Sequence, residues 1–222
     1  MNLTDGTVRT LTSGSWPSWS PDGTKIVFQR ETGQYLPNYA DVELFTVPVA
    51  TGIVTQLTNV PGASLSAEPA WSPDGQKIAY VKFVEGPKTD CWNDYVIAVI
   101  DTAGNELERL TCQTAAAYLD EAPAWSPDSA EVAFTRKKGM GQSYQLHKVN
   151  VAAKTITKLT DSPDMGYDEY TPTWASDGSA VAVSSGRDGD HDIWLVDSRG
   201  GGYLINLTNA NPEVDAYPVF GK

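Results

Sequence analysis

The chain has 222 residues, 41% of them hydrophobic, which suffices for one sizeable core or a one-dimensional repeat array. No stretch approaches the ~20 consecutive apolar residues of a membrane-spanning helix, so direct membrane insertion is not expected. The net charge of −12, from 28 acidic against 16 basic side chains, leaves no basic stripe to displace the counterions of nucleic acid or to grip an anionic membrane; a basic protein or a divalent cation is the easier partner.

Residues 1–20 have no basic start followed by an apolar core, so no signal peptide is read there. Residues 6–12 read as one strand ending in Leu11-Thr12. A unit then opens with Trp16-Pro-Ser-Trp19-Ser-Pro-Asp-Gly23. It returns as Glu68-Pro-Ala-Trp71-Ser-Pro-Asp-Gly75, Ala122-Pro-Ala-Trp125-Ser-Pro-Asp-Ser129 and Thr171-Pro-Thr-Trp174-Ala-Ser-Asp-Gly178. The tryptophans are 52, 54 and 49 residues apart, and each unit closes on a Leu-Thr pair at Leu57, Leu110, Leu159 and Leu207. Between these marks the apolar residues alternate, as in Ile26 and Phe28 or Ile78 and Tyr80. That is strand periodicity, and no sustained 3.6-residue stripe appears. Asp-Gly after the first strand is a hairpin signal, because glycine accepts positive φ. Each unit is therefore expected to hold four strands, a to d: a carries Pro-x-Trp, b follows Asp-Gly, c is typified by Asp192–Asp197, and d ends at Leu-Thr. The chain finishes on Tyr217-Pro-Val-Phe220, which matches strand a with Phe220 in the tryptophan position.

Four strands in about 50 residues, repeated, is the pattern of propeller blades. The motif Pro-x-Trp-Ser-Pro-Asp-Gly-x-x-Ile-x-Phe followed by x-x-Leu-Thr resembles the TolB-type WD40-like (PD40) repeat family over essentially the whole chain. The expected fold is all-β. It is a single β-propeller domain, 1–222, of four complete four-stranded antiparallel blades (about 15–60, 67–113, 120–162 and 170–209). An N-terminal d strand (6–12) and a C-terminal a strand (216–221) belong to an incomplete fifth. A small ring with a two-stranded fifth element, a piece of a larger propeller and completion by a neighbouring molecule all fit that imbalance. Trp19, Trp71, Trp125 and Trp174 are expected between blades, and Asp22, Asp74, Asp128 and Asp177 on backbone amides of their turns.

Cys91 and Cys112 flank strands c and d of the second unit, equidistant from a turn near Asp101-Thr102. They are expected to face each other within disulfide reach, which implies a periplasmic, cell-surface or extracellular home. Asn2 and Asn206 each begin an Asn-Leu-Thr acceptor pattern for glycosylation. Propellers usually bind ligands where loops enter strand a, and carboxylates recur there: Glu68, Asp120, Glu121, Asp168, Glu169 and Asp215. Converging carboxylates suit Ca2+ or a basic peptide, although no cofactor is required. Asp188, Asp190 and Asp192 open like a calcium loop, but Arg199 stands where a bidentate glutamate is needed, so a structural turn is the simpler reading. The aromatic-rich stretches Gln34–Tyr39 and Phe83–Trp92 are candidate contact surfaces in b–c loops.

The only histidines are His147 and His191, and no Gly-x-Ser-x-Gly elbow or paired metal-ligand motif is present. No enzymatic activity is expected on these grounds. The expected role is a secreted or periplasmic interaction or scaffold module, binding a protein partner at the channel face or through its loops. A subunit that self-assembles through its terminal strands and the regulatory propeller of a hydrolase are the alternatives.

Overall fold

The computed structural model describes residues 7–36, 39–59, 65–84, 94–112, 118–139, 141–161, 168–209 and 214–220; among them there are strands and no helix. The first four strands are β1 (Ser15–Trp19), β2 (Lys25–Leu36), β3 (Tyr39–Pro48) and β4 (Thr55–Gln56). The next are β5 (Ser66–Trp71), β6 (Lys77–Val84), β7 (Asp94–Asp101) and β8 (Glu106–Arg109). Then come β9 (Tyr118–Trp125), β10 (Glu131–Lys138), β11 (Gln145–Asn150) and β12 (Ile156–Lys158). The last are β13 (Glu169–Trp174), β14 (Ala180–Ser185), β15 (Asp192–Asp197) and β16 (Tyr203–Asn206). Each set of four is an antiparallel meander in sequence order. The first and last form separate four-stranded sheets, and the middle two fuse into an eight-stranded sheet through one parallel bridge, Tyr95–Leu119, between β7 and β9.

The turn between the first two strands of a meander is set by its Ser-Pro-Asp sequence. The Ser20, Ser72 and Ser126 hydroxyls each donate to the aspartate two residues on, at 2.6 Å. Asp22, Asp74, Asp128 and Asp177 accept from the backbone amides of Thr24, Gln76, Ala130 and Ser179 at 2.9–3.0 Å. The Ser20 hydroxyl and the Thr24 amide hold the Asp22 carboxyl down to about 2. The Leu-Thr pair closes the meander in the same repeated way. Thr58, Thr111, Thr160 and Thr208 each accept, on Oγ1, the amide of a residue of the third strand (Leu44, Ile97, Leu146 and Ile193) at 2.8–3.0 Å.

Strand alternation sends apolar side chains to both faces of each meander, so the core lies between sheets. Val27 and Leu44 of the first meander pack with Trp71, Ile78 and Tyr80 of the second. Val81, Ile97 and Leu110 of the second pack with Trp125 and Phe134 of the third, and Leu146 and Leu159 of the third with Trp174 and Val183 of the fourth. The tryptophan is the wedge at each junction. Trp125 and Trp174 also donate their indole N–H to the Ala70 and Ala124 carbonyls of the preceding meander, both at 3.0 Å. Trp71, Trp125 and Trp174 are 9%, 7% and 7% exposed, whereas Trp19 is 56% exposed. Trp19 pairs with Ile26, on the face that carries Phe28, Phe45 and Val47, and among the described residues no sheet precedes it there.

Of the orphan strands expected at 6–12 and 216–221, the described residues 7–12 and 216–220 are hydrogen-bonded into no sheet. One expectation is corrected. The stretch Gln34–Tyr39 was expected as a loop, but β2 and β3 continue as a long hairpin arm, paired as far as Leu36–Tyr39. Residues 37–38 and 85–93 lie outside the described residues, and with them most of Phe83–Trp92.

In every first strand the register slips at the residue before the motif proline and at the proline itself. The preceding residue, Trp16, Glu68, Ala122 or Thr171, takes φ between +50° and +54°. Proline lacks the N–H a regular ladder would require, so it sits at a bulge. The left-handed residue before it costs about 1–3 kcal/mol of local strain. Tyr217, before Pro218, has φ +58° and repeats the geometry without a paired neighbour.

Candidate functional site: the channel between the meanders

The five strained residues meet. Trp16, Glu68, Ala122, Thr171 and Tyr217 border two adjoining cavities, of about 390 and 400 Å3. The prolines Pro17, Pro69, Pro123, Pro172 and Pro218 line one of them. Glu121, Thr135, Tyr170, Ser184 and His191 line the other. The bulge therefore turns one residue per meander toward a shared axis, and the carboxylate-bearing mouth lies on the side of the third-strand entrances.

Glu68 is the central acid of this mouth. It accepts from the Ala122 amide at 2.6 Å, while its own amide donates to Gln29 Oε1 at 2.7 Å, so it ties three successive meanders together. Burial pushes its carboxyl up to about 7; the Ala122 amide opposes that rise and the neighbouring Glu121 carboxylate adds to it. Glu121 accepts from the Tyr144 hydroxyl at 2.5 Å. Asp168 accepts from the Tyr144 amide and the Tyr170 hydroxyl, both at 2.8 Å. Burial, with Asp168 beside it, pushes the Tyr170 hydroxyl up to about 12. Tyr144, Tyr170 and His191 form a row of rings with centroids 6.1 and 5.9 Å apart.

The six carboxylates named from the sequence thus separate. Glu68 and Glu121 face the cavity, and Asp168 is held at its rim by the tyrosines. Asp120 does not face it: its side chain is fully buried and accepts two bonds from Arg136, at 2.6 and 2.7 Å. Glu169 is also fully buried, accepting from the Leu146 amide and the Thr160 hydroxyl, each at 2.5 Å, and from the Tyr203 hydroxyl. Asp215 contributes its backbone, which donates to the His191 carbonyl at 2.7 Å and accepts from the Ser184 hydroxyl at 2.9 Å. The sequence reading missed Trp16, Thr171, Tyr170 and Tyr217. For Trp16, Thr171 and Tyr217 the available signal was their place before the motif proline.

Asp188, Asp190 and Asp192 do gather, with one carboxylate oxygen from each within 4.8 Å of the others. The Asn206 amide nitrogen donates to Asp188 at 3.0 Å and to Asp192 at 2.6 Å, and the Thr208 hydroxyl to Asp192 at 2.9 Å. An N–H already answers the negative charge there, which fits a structural turn. The same bonds engage the nitrogen that glycosylation of Asn206 would use. Asn2 and Cys91 lie outside the described residues; Cys112 packs beside Val96. His147 is buried against Phe134, and that burial pushes its imidazole down to about 4.

The sequence profile of the TolB beta propeller domain (PD40) matches residues 54–218. The uncharacterized peptidase YuxL of Bacillus subtilis is 27% identical over 142 residues, which cover 64% of this chain and 20% of the relative. The Tol-Pal system protein TolB of Francisella tularensis is 34% identical over 95 residues, 43% of this chain and 19% of the relative. The chain thus spans about a fifth of the length of these relatives. Among solved structures, an oligogalacturonate lyase from Vibrio parahaemolyticus superposes with a TM-score of 0.62 at 15% identity, over 90% of this chain and 55% of that one. The expectation that the chain is no enzyme is overturned, because a protein named as a peptidase stands among its sequence relatives. That expectation rested on absent motifs, which say nothing of a propeller working inside an enzyme. The repeated Pro-x-Trp and Leu-Thr elements, the meanders they close and the profile match over most of the chain lead to one statement: this protein belongs to the PD40 family of TolB beta propeller domains.

Proposed function

We propose that the chain is a protein-interaction propeller, a single domain of four blades, whose carboxylate-bearing channel mouth receives a basic segment of a partner protein. The observation that carries this reading is the pairing of Glu68 and Glu121 in one cavity that, among the described residues, no lysine or arginine lines. Exposed Trp16, Tyr170 and Tyr217 rings border the same cavity and offer faces to a cation, worth about 0.5–2 kcal/mol each. The net charge of −12 steers such a segment toward the protein. The test is titration with a lysine- and arginine-rich peptide against the same peptide with glutamate at those positions. Binding of the basic peptide alone, weakened about tenfold by Glu121→Gln, is the expected result. Equal binding of both peptides would reject the reading.

A second reading is favoured by the match to a peptidase over 64% of the chain: the propeller governs substrate entry to a hydrolase. It is tested by asking whether Glu121→Gln alters KM for charged over neutral aminoacyl anilides in the intact gene product. An extracellular or periplasmic setting, with a Cys91–Cys112 bridge closing the second blade, accompanies either reading.

A further inference from the structure

We propose that the basic residue received at the channel mouth is an arginine, its guanidinium bridging Glu68 and Glu121 against the ring of Tyr170. The proposal rests on the reading of the mouth as the seat of a partner's basic segment, and names the side chain that the seat selects.

The polar wall of the mouth offers mainly lone pairs. Glu68 accepts the Ala122 amide on Oε2, and Glu121 accepts the Tyr144 hydroxyl on Oε1; among the described residues the second oxygen of each has no hydrogen-bond partner. The hydroxyls that line the same cavity have spent their protons on backbone carbonyls: Thr135 donates to Glu121 at 3.3 Å, and Ser184 to Asp215 at 2.9 Å. The Tyr170 hydroxyl donates to Asp168 at 2.8 Å. Thr171 lines the cavity too, and its buried hydroxyl oxygen has no partner among the described residues. These groups stand on β5, β9, β10, β13 and β14, so acceptors face the cavity from several sides.

Such a wall calls for a cation that is all donor. A guanidinium carries five N–H donors in one plane, no acceptor, and a charge that persists at any pH near neutrality, whereas an ammonium gathers three donors at a point. The planar fork can reach two carboxylates at once. Glu68 holds a proton part of the time near neutrality, because burial pushes its carboxyl up to about 7; the arriving charge displaces that proton. A ring completes the seat. Lys137 already lies 4.2 Å from the ring centroid of Tyr144, so Tyr170, 37% exposed and in the cavity wall, is the tyrosine of the row left to a ligand. The chain builds the same seat for an arginine of its own: Arg136 lies 4.3 Å from the Tyr118 ring centroid and bonds both oxygens of Asp120, at 2.6 and 2.7 Å.

The probes are tri-arginine and tri-lysine peptides with blocked ends, and a third peptide with citrulline for arginine. Each is titrated into the chain by NMR at pH 8, where Glu68 is ionised. Tri-arginine should bind about tenfold more tightly than tri-lysine, and the citrulline peptide, which lacks the charge, should not bind. The arginine δ-methylene resonances should move upfield as a side chain settles on a ring. Tyr170→Phe should keep both the preference and the shift, and Tyr170→Leu should lose the shift and most of the preference. Glu68→Gln should bring the affinity for tri-arginine close to that for tri-lysine. Equal affinity of the two basic peptides in the parent, each weakened by Glu121→Gln, overturns the arginine seat and leaves the wider reading of the mouth standing; binding of neither overturns both. An upfield shift and a preference that survive Tyr170→Leu also overturn the seat. The comparison of peptides in the parent depends on no variant's folding.

Discussion

The Ala122 amide donates to the Glu68 carboxylate at 2.6 Å, linking the bulge of the third meander to that of the second across the channel wall. Only one of the residues so joined can titrate, and it does so near neutrality. Burial raises the Glu68 carboxyl from 4.5 to about 7, so the folded state holds a proton that the unfolded chain has released. The contribution of Glu68 is therefore fully present below pH 4.5 and is lost as pH rises through 7, by about 1–3 kcal/mol after allowance for its partial exposure. Denaturation at pH 5 and pH 8 should show this loss in the parent. Glu68→Gln, neutral at both values, should flatten the difference.

Asp120 and Arg136 form a pair with side chains 0% and 6% exposed, and Arg136 also reaches the Thr111 carbonyl at 3.1 Å. Removing one partner leaves an uncompensated charge among β9, β10 and the end of the second meander. Asp120→Ala should cost about 3–5 kcal/mol in urea denaturation. Glu121→Ala, one residue further on, should cost well under half of that, because its carboxylate lies at the cavity.

That contrast explains which parts of the molecule the sequence makes legible. The tryptophans and the Leu-Thr closures repeat at a fixed period and stand out four times over, and the Ser-Pro-Asp turns act within a few residues and stand out three times. The carboxylates do not. Asp120 and Glu121, like Asp168 and Glu169, are neighbours, and adjacent residues of a strand point to opposite faces. Which one reaches the cavity depends on the bulge that follows and on a partner such as Arg136, 16 residues away. Terminal strand character is equally hidden. Residues 216–220 have the sequence and the bulge of a first strand, but a ladder needs a second strand beside it.

Cys112 sits at the end of the second meander, beside Val96. A bridge to Cys91 would close a loop of about 20 residues and stabilise the fold by about 3 kcal/mol, chiefly by restricting the unfolded chain. Alkylation of the denatured, unreduced protein should leave both thiols unmodified. Reduction should lower the denaturation midpoint, and the double substitution Cys91→Ser with Cys112→Ser should be insensitive to reductant. Two alkylated thiols in the unreduced protein would reject the bridge.

Trp19 and Trp174 occupy the same motif position in environments that differ by one neighbouring sheet. Trp174 is wedged against Leu146 and Leu159 and hydrogen-bonded to Ala124, so Trp174→Ala removes a buried ring and leaves a cavity, a loss of about 3–5 kcal/mol. Trp19 keeps more than half its surface in water, and Trp19→Ala should cost under about 1 kcal/mol in the isolated chain. Parallel urea denaturations of the two variants measure both terms. Equal costs for the two tryptophans in the free chain would mean that the first meander is already covered in solution.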